Sequence, residues 1–354
     1  MMIQFYASHL LHHRSLIPVM CELSSRGHEI VVQTTRPDWM GLPRLAMEFA
    51  PQRVCGVNMP LLDWLARKTG YGYEWWMEIE KCRSGRRMEG DVYVSTTKDI
   101  AWLQDRLHST GCPCFAVGYQ HFPVIIRLHR GPVFSQDVPD IFTANHPFGR
   151  LHNFLPMYFT GDVQTCGFPH LDPVISRRSP WTIRTVQLQH HGGFRGLKGH
   201  DWMRDIAEVV WKSGRGFTFV VSPHWVPGIG YGGKAIRRAL RGGGPYRLVP
   251  SWWPYAKSAD LVLTTGSASM YEFWSVSIQN AMVLTYLGGG RHEHFQMFKD
   301  LLIESPEALR RLLDGLPASA QTTEPLTREV TQAFRDVHDG RGAKTAADVI
   351  EGKL

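Results

Sequence analysis

Short apolar runs that are typical of buried strands alternate with helical stretches in both halves of this chain of 354 residues. The N-terminal segment predicts a strand from Ile3 to Ala7, a helix from Ser15 to Ser25 and a strand from Glu29 to Thr35. The alternation begins again in the second half, with a strand from Thr182 to Gln189 and a helix from Asp201 to Lys212. Strands that alternate with helices form parallel sheets with helices on their faces. The pattern therefore predicts an α/β protein with two similar wound halves.

The length and the order of the elements predict two domains and a tail. Residues 1–174 form the first Rossmann-like domain in this prediction, and it closes on the turn CGFPHLD at residues 166–172. Residues 175–325 form the second Rossmann-like domain, and residues 326–354 form a helical tail that crosses back to the first. Within the second domain, Val226 to Gly244 is so rich in glycine and arginine that we expect a mobile segment.

The charge of the chain favours an acidic partner. Its 39 lysines and arginines exceed its 32 acidic residues by seven. Such an excess attracts nucleic acid, anionic lipid or phosphorylated substrates.

The patterns of cysteine, histidine and hydropathy further limit the kinds of protein that this chain can be. The 6 cysteines are scattered without zinc spacing and the 17 histidines are dispersed, so we expect no protein-bound metal. No apolar run approaches the roughly 18 residues of a membrane span, and the N-terminus lacks an export signal. These patterns predict a soluble cytoplasmic protein, and they leave contact with a membrane surface open.

A segment between residues 57 and 90 interrupts the alternation with aromatic and basic side chains. Trp75 and Trp76 precede Arg83, Arg86 and Arg87. Aromatic rings interleaved with arginines can stack on bases or sugars and bind phosphate. The same residues also fit a pair of helices whose rings fill a core while the arginines face water. The first interpretation makes these five residues a candidate site for an acidic ligand.

A glycine-rich loop, HHGGFRG at residues 190–196, follows a predicted strand and leads toward a helix. Ligands of parallel sheets bind beyond the carboxyl ends of the strands, where loops meet helix N-termini. Gly192 and Gly193 allow the backbone to approach an anion closely, and free N–H groups can bind it. His191 and Arg195 lie in the same loop, where Arg195 adds positive charge. The loop is a candidate phosphate site.

A second loop, TGSAS at residues 265–269, also follows a buried strand and begins a helix. Gly266, Ser267 and Ser269 offer backbone donors and hydroxyls to a diphosphate, although the two serines also fit simple helix capping. Glu272 lies one turn further along, where its carboxylate can accept hydrogen bonds from ribose hydroxyls. Two such loops in one half predict a nucleoside diphosphate site. Neither loop has the GxxxxGK[ST] pattern of P-loop ATPases.

These loops and their neighbours carry a resemblance to a known superfamily. The order of HHGGFRG, a helix, a strand ending in SPH, ADLVLTTGSASMYEF and NAMVLT resembles the nucleotide-binding half of GT-B glycosyltransferases. The nearest likeness is to the branch of UDP-N-acetylglucosamine 2-epimerase and the teichoic-acid glycerophosphotransferases. The N-terminal SHLLHH and LSSRGHEIVVQTT resemble the acceptor half of that fold, and CGFPHLD resembles its tGnPxxD turn. The chain is also similar in length and fold class to phage glucosyltransferases that modify DNA.

The resemblance implies two Rossmann-like domains that face each other across a cleft. Acceptor binding is expected in residues 1–174 and nucleotide-donor binding in residues 175–325. The loops at 190–196 and 265–269, with His224, are expected to bind a UDP-linked sugar as co-substrate. No separate cofactor and no metal are expected, and the Trp75 to Arg87 segment becomes the candidate acceptor site.

Sugar transfer to a hydroxyl needs a general base, and histidine titrates in the right range. His12, His13 and His121 are expected in loops after strands of the first half. His121 is comparable with the N-domain histidine of the glycerophosphotransferases. Each of the three also fits a structural or solvent-facing histidine.

The leading prediction is a glycosyltransferase that moves a sugar from a nucleotide donor to an acidic acceptor, either modified DNA or a cell-surface polymer. One alternative is a nucleotide-sugar epimerase or hydrolase, or a CDP-polyol phosphotransferase, of the same fold. The N-terminal acidic residues of the epimerases are not evident here, which counts against epimerisation. Another alternative is a non-catalytic protein that binds carbohydrate or nucleic acid.

Overall fold

The computed structural model of the protein describes residues 1–7, 10–34, 83–84, 90–96, 111–118, 124–128, 163–172, 175, 185–189, 201–222, 233–249, 261–264, 272, 275, 282–286, 302–303, 305–315 and 336–352. The chain divides into two compact units. One unit comprises Met1–Ser176 with Asp336–Leu354, and the other comprises Arg177–Arg335. The helices are α1 (Leu10–Ser25), α2 (Asp201–Lys212), α3 (Gly233–Ala239), α4 (Pro306–Gly315) and α5 (Gly342–Gly352).

The first unit contains a seven-stranded sheet in the order β3-β2-β1-β4-β5-β6-β7. Its strands are β1 (Met2–Ala7), β2 (Glu29–Thr34), β3 (Arg83–Ser84), β4 (Val92–Thr96), β5 (Cys114–Val117), β6 (Val124–Leu128) and β7 (Val163–Thr165). Strands β1 to β5 pair in parallel, whereas β6 and β7 are antiparallel. The strand order reverses between β1 and β4, because the chain leaves β1 toward β2 on one side and returns to β4 on the other.

Helices α1 and α5 pack in one core with this sheet. The core combines β-branched and aromatic residues of the strands with large apolar residues of α1, and small residues of α5 complete it. Its members include Ile3, Phe5, Val92, Val94, Phe115 and Val117 of the sheet, Leu16, Ile17, Met20 and Leu23 of α1, and Ala346, Ala347 and Ile350 of α5. The C-terminal helix is thus part of the first unit.

Helix α1 begins earlier than the sequence predicted. The prediction placed the helix start at Ser15, because Ser8 to Arg14 form a polar junction and apolar residues at helical spacing begin at Leu16. In the structure α1 begins at Leu10, and Pro18 lies in the helix interior. An interior proline costs one backbone hydrogen bond, and the buried apolar face of α1 offsets that cost.

The second unit contains a six-stranded, entirely parallel sheet in the order β10-β9-β8-β11-β12-β13. Its strands are β8 (Thr185–Gln189), β9 (Thr218–Ser222), β10 (Arg247–Leu248), β11 (Leu261–Thr264), β12 (Met282–Tyr286) and β13 (Leu302–Ile303). Leu261, Val262 and Leu263 are all fully buried, as is typical of a parallel strand with both faces covered. The α/β fold class is confirmed.

Several local predictions are wrong or incomplete. The glycine- and arginine-rich segment from Val226 to Gly244 contains helix α3, so part of it is regular. Its buried Ile236 and Leu240 lie four residues apart on one helix face. The alternative prediction of a helix pair between residues 57 and 90 is wrong at Arg83–Ser84, because these two residues form strand β3. The antiparallel strands β6 and β7 were not predicted.

Candidate functional site

The second sheet has its topological switch point between β8 and β11. The chain proceeds from β8 to β9 and β10 on one side, and from β11 to β12 and β13 on the other. Thr264 at the end of β11 pairs in register with Gln189 at the end of β8. Gln189 is also level with Ser222 at the end of β9. Open α/β sheets bind ligands at such a point, outside the carboxyl ends of the strands.

The two loops predicted to bind diphosphate both leave the sheet at this point. HHGGFRG follows Gln189 directly, and TGSAS follows Thr264 directly. Neighbouring strands lie about 4.8 Å apart, so the loops start side by side at one level of the sheet. The loops themselves, with His191, Gly192, Gly193, Arg195, Gly266, Ser267 and Ser269, lie outside the described residues, as does His224.

Glu272 is the one donor-site candidate whose side-chain exposure the structure describes. It lies in a helical segment beyond β11, and its side chain is only 6% exposed. Ser275, three residues later, is fully buried and shares its helix face. A buried carboxylate is costly unless hydrogen bonds satisfy it, so Glu272 occupies a position with a strict polar requirement.

The first sheet has its own switch point between β1 and β4, and α1 begins there. His12 and His13 were expected in a loop, and that placement is wrong: both lie in the first turn of α1. They remain just beyond the carboxyl end of β1, which ends at Ala7. The first turn of α1 contains no acidic residue. The positive end of the helix dipole at this point is therefore not offset from within its own first turn.

His121, the third candidate base, follows β5 by four residues and lies outside the described part of the chain. Strand β5 is separated from β1 by β4 alone. The ends of β1 and β5 are therefore about 10 Å apart across the sheet. Trp75, Trp76, Arg86 and Arg87 also lie outside the described residues, and Arg83 is described only as the first residue of the edge strand β3.

Thr96 is a residue that sequence reasoning missed. It ends β4 beside the switch point, level with Val117 at the end of β5. Its hydroxyl is fully buried, and among the described residues it has no hydrogen-bond partner. Strand alternation places it on the face of Val92 and Val94, which pack in the core with α1. A buried hydroxyl without a partner costs about 1 to 3 kcal/mol, so this side chain lowers the stability of the first unit.

The turn CGFPHLD binds the C-terminal segment of the same unit. The Asp172 carboxylate accepts hydrogen bonds from the N–H groups of Gly342 and Ala343, at 2.9 and 2.7 Å. The Phe168 N–H donates to Nδ1 of His338 at 2.9 Å, and the two rings stack 4.7 Å apart. The aspartate of this turn therefore caps α5, and its role is structural.

The buried cysteines are unsuited to nucleophilic chemistry. Burial raises the pKa of the Cys114 thiol to about 12 and also raises the pKa of the Cys166 thiol. A thiol needs its thiolate form to react, so neither side chain is a candidate nucleophile. Among the described residues, no three His, Cys, Asp or Glu side chains are grouped as a metal ion would require. Within that same part of the chain, no helix has the length and apolar character to cross a membrane.

Comparison with known proteins settles the fold. No family model and no curated sequence matches the chain. Solved structures do: a protein from Listeria monocytogenes named as a UDP-N-acetylglucosamine 2-epimerase has a TM-score of 0.51 at 12% identity, over 100% of this chain and 96% of its own. MnaA of S. aureus, solved with UDP, has the same score, identity and coverage. The chain has the GT-B fold. The fold that the resemblance implied is confirmed.

A glycosyltransferase is also structurally similar. The glycotransferase of kitacinnamycin has a TM-score of 0.49 at 13% identity, over 100% of this chain and 99% of its own. At such identities the likeness to GT-B structures is one of fold. The reaction therefore has to be argued from this chain's own residues.

Proposed function

We propose that this protein is a glycosyltransferase that binds a nucleoside diphosphate sugar with its second unit and transfers the sugar to an acceptor hydroxyl. One observation carries the proposal: Gln189 and Thr264 lie side by side at the strand-order reversal. Both glycine- and hydroxyl-bearing loops begin at these residues. A pyrophosphate bound there would receive backbone N–H donors from two sides.

The roles of individual residues follow from this placement. Gly192, Gly193, Gly266, Ser267 and Ser269 bind the diphosphate, and Arg195 stabilises the charge that develops on the leaving nucleotide. Glu272 accepts hydrogen bonds from the ribose, in keeping with its burial beyond β11. UDP is the first nucleotide to test, because the similar MnaA structure was solved with UDP.

The first unit supplies the base in this proposal. His12 and His13 lie at the N-terminal end of α1, where the helix dipole disfavours added positive charge. Histidine is a common general base, and a neutral imidazole can accept the proton of the acceptor hydroxyl. His121 is the other candidate base, beyond β5. The acidic acceptor, DNA or a cell-surface polymer, is proposed on the basis of the net charge of +7 and the Trp75 to Arg87 segment.

An epimerase is the second candidate, because a similar structure with a TM-score of 0.51 is of a protein named as a UDP-N-acetylglucosamine 2-epimerase. The N-terminal acidic residues expected of the epimerases are not evident in the sequence, which favours transfer over epimerisation. Incubation of UDP-linked sugars without an acceptor separates the two reactions. Formation of an epimerised UDP-sugar would establish the epimerase. A donor that stays unchanged without an acceptor and is consumed when an acceptor is added would establish the transferase.

The donor site is tested by thermal unfolding with a panel of nucleoside diphosphates and their sugars. A ligand that binds only the folded state raises the unfolding temperature. We expect a rise with UDP or a UDP-sugar in the wild-type protein and a loss of that rise in Ser267→Ala/Ser269→Ala. The matched control is Ser213→Ala/Ser305→Ala, because both serines lie in the second unit, at the end of α2 and before α4. An equal rise in all three proteins would refute the role of the 265–269 loop.

A further inference from the structure

The positive charge of this protein is concentrated in one segment of the second unit. Residues 209–259 contain eight lysines and arginines and no aspartate or glutamate, whereas the whole chain has a net charge of +7. The rest of the chain is therefore slightly acidic. A run of 51 residues without one carboxylate produces a strong local field, because nothing within it neutralises its cations.

The topology places four arginines of this segment near one edge of the sheet. Helix α3 ends at Ala239, just after Arg237 and Arg238, and leads past Arg241 into β10, which begins at Arg247. Helix α2 ends at Lys212 and leads into β9. Connections that enter parallel strands lie at the amino edge of the sheet, opposite to the carboxyl edge from which the loops at 190–196 and 265–269 depart. These four arginines and the end of α2 are therefore separate from those two loops.

Close packing holds the two connections against each other. Gly244 has φ +109°, and a Cβ built there would lie 2.9 Å from Cβ and 3.0 Å from Cγ of Trp211. A Cβ on Gly243 would lie 2.7 Å from the carbonyl oxygen of Arg204 and 3.1 Å from Cβ of Ala207. The turn after α3 thus lies directly on the C-terminal part of α2. Glycine is required at both positions for this approach.

An exposed tryptophan and four exposed arginines result from this arrangement. The side chain of Trp211 is 58% exposed even though its base packs against Gly244. Arg237, Arg238, Arg241 and Arg247 are exposed as well, and among the described residues none of them has an ion-pair partner. We call Trp211 and these four arginines the Trp211 surface. Exposed guanidinium groups can bind phosphate in two-pronged hydrogen bonds.

We propose that the Trp211 surface binds single-stranded nucleic acid. Arginines that track a phosphate backbone, together with an aromatic ring on which a base can stack, are the two parts of a single-strand binding site. The arginines supply affinity that depends on salt, and the indole supplies stacking that duplex DNA does not offer.

The same surface is poorly suited to a lipid bilayer. Within the described residues, the exposed large apolar side chains are Met1 and Trp211, and Met1 belongs to the first unit. A helix that binds at a membrane surface presents a whole apolar face to the lipid. Trp211 alone among arginines lacks such a face, so the charge and the ring together favour nucleic acid.

Binding to a fluorescently labelled oligonucleotide of about 20 nucleotides tests this proposal with the full-length protein. Anisotropy is measured between about 50 and 200 mM salt for the single strand and for its duplex. We expect the wild-type protein to bind the single strand more tightly, with an affinity that falls as salt rises. In Arg237→Gln/Arg241→Gln, the slope of log K against log salt should become shallower by about 1.4, from two lost phosphate contacts at about 0.7 each.

The control removes the same charge from another exposed place. Arg341 and Lys344 are exposed at the start of α5 in the first unit, so Arg341→Gln/Lys344→Gln should bind as the wild-type protein does. An equal loss in this control would reduce the effect to net charge and overturn the proposal. So would an absence of oligonucleotide binding at about 50 mM salt. Binding to phosphatidylserine vesicles without binding to the oligonucleotide would instead assign the surface to a membrane.

Trp211 is tested by two replacements, because alanine also removes the contact with Gly244. Trp211→Phe retains a ring for stacking, whereas Trp211→Ala does not. We expect the alanine variant to bind the single strand at least about 5-fold more weakly and the phenylalanine variant to retain most of the affinity. Thermal unfolding confirms that both variants are folded. Equal single-strand affinity in all three proteins would rule out stacking on Trp211.

Discussion

The carboxylate of Asp172 accepts a hydrogen bond from the backbone N–H of Ala343 at 2.7 Å, although the two residues are 171 positions apart in the sequence. A second hydrogen bond, from Gly342 at 2.9 Å, completes the cap of α5. A Cβ on Gly342 would lie 2.7 Å from the carbonyl oxygen of Cys166. The turn at residues 166–172 is therefore bound to the start of α5 by the Asp172 side chain and by close backbone packing at Gly342.

Replacement of this cap should destabilise the protein. Asp172→Ala leaves two buried N–H groups at the start of α5 without their acceptor, so we expect a loss of about 2 kcal/mol or more in the free energy of unfolding. Chemical denaturation at pH 6 measures the loss. Asp339→Ala is the control, because Asp339 is exposed and its described contacts are local, with the backbone N–H and the side chain of Arg341. A loss in Asp172→Ala no larger than that in Asp339→Ala would contradict the role of the cap.

The same carboxyl group should make stability depend on pH. Burial raises the pKa of Asp172 from 3.8 to about 7, although the N–H groups of Ala343 and Gly342 act to lower it. The unfolded chain releases this proton near pH 4 and the folded protein near pH 7, so the folded state binds more protons between these values. The contribution of Asp172 to the free energy of unfolding therefore falls by about 4 kcal/mol at most as pH rises from 4 to 7. Above pH 7 this contribution is constant.

Asp172→Asn removes the titration and retains the size of the side chain. The difference in free energy of unfolding between wild type and variant, measured by denaturation from pH 5 to pH 8, should shift against the wild type as pH rises toward 7. It should then level off. A difference that is independent of pH, or one that shifts in favour of the wild type, would show that burial does not dominate at this site.

A methyl group at Gly167 should disrupt the contact with His338. Gly167 has φ +75°, and a Cβ there would lie 3.0 Å from Nδ1 of His338, the atom that accepts the Phe168 N–H. Gly27 has φ +90° with nothing within 4 Å of such a Cβ. We expect Gly27→Ala to cost about 1 kcal/mol from backbone strain alone and Gly167→Ala to cost about 1 to 2 kcal/mol more. Equal losses in thermal unfolding would mean that His338 moves away freely.

Removal of two adjacent hydroxyls at the end of β4 should change the free energy of unfolding in opposite directions. The Ser95 hydroxyl donates to the carbonyl oxygen of Tyr6 at 2.9 Å, whereas the buried Thr96 hydroxyl has no partner among the described residues. Ser95→Ala should lower the free energy of unfolding by about 1 kcal/mol, and the nearly isosteric Thr96→Val should raise it by a similar amount. Denaturation without ligand measures both. A loss of stability in Thr96→Val would show that its hydroxyl is satisfied in the folded protein.

Local sequence patterns predicted the parallel architecture well, because each strand and helix is indicated by the spacing of apolar residues within a short stretch of sequence. The apolar run that ends at Thr264 predicted a buried strand, and the structure has strand β11 at this position. The predicted bounds of the helix from Asp201 to Lys212 agree with α2, since its apolar residues repeat at helical spacing. The sequence also placed both candidate phosphate loops after strands, and the structure shows that the strands before them, β8 and β11, are neighbours.

Contacts between distant parts of the chain could not be predicted in this way. No periodicity links Asp172 to Ala343, and nothing local indicates that β6 runs antiparallel to β5. The start of α1 at Leu10 was missed because the polar residues from Ser8 to Arg14 indicated a junction, whereas packing of α1 on the sheet outweighs that local pattern. Glycine obscured α3 for the same reason: its helix depends on burial of Ile236 and Leu240.

We propose that the loops leaving β8 and β11 together bind the diphosphate of a nucleotide sugar. A crystal structure of the protein with UDP is the decisive test. We expect phosphate oxygens within hydrogen-bond distance of backbone N–H groups in both residues 190–196 and residues 265–269. A diphosphate bound to one loop alone, or at another place on the protein, would contradict it.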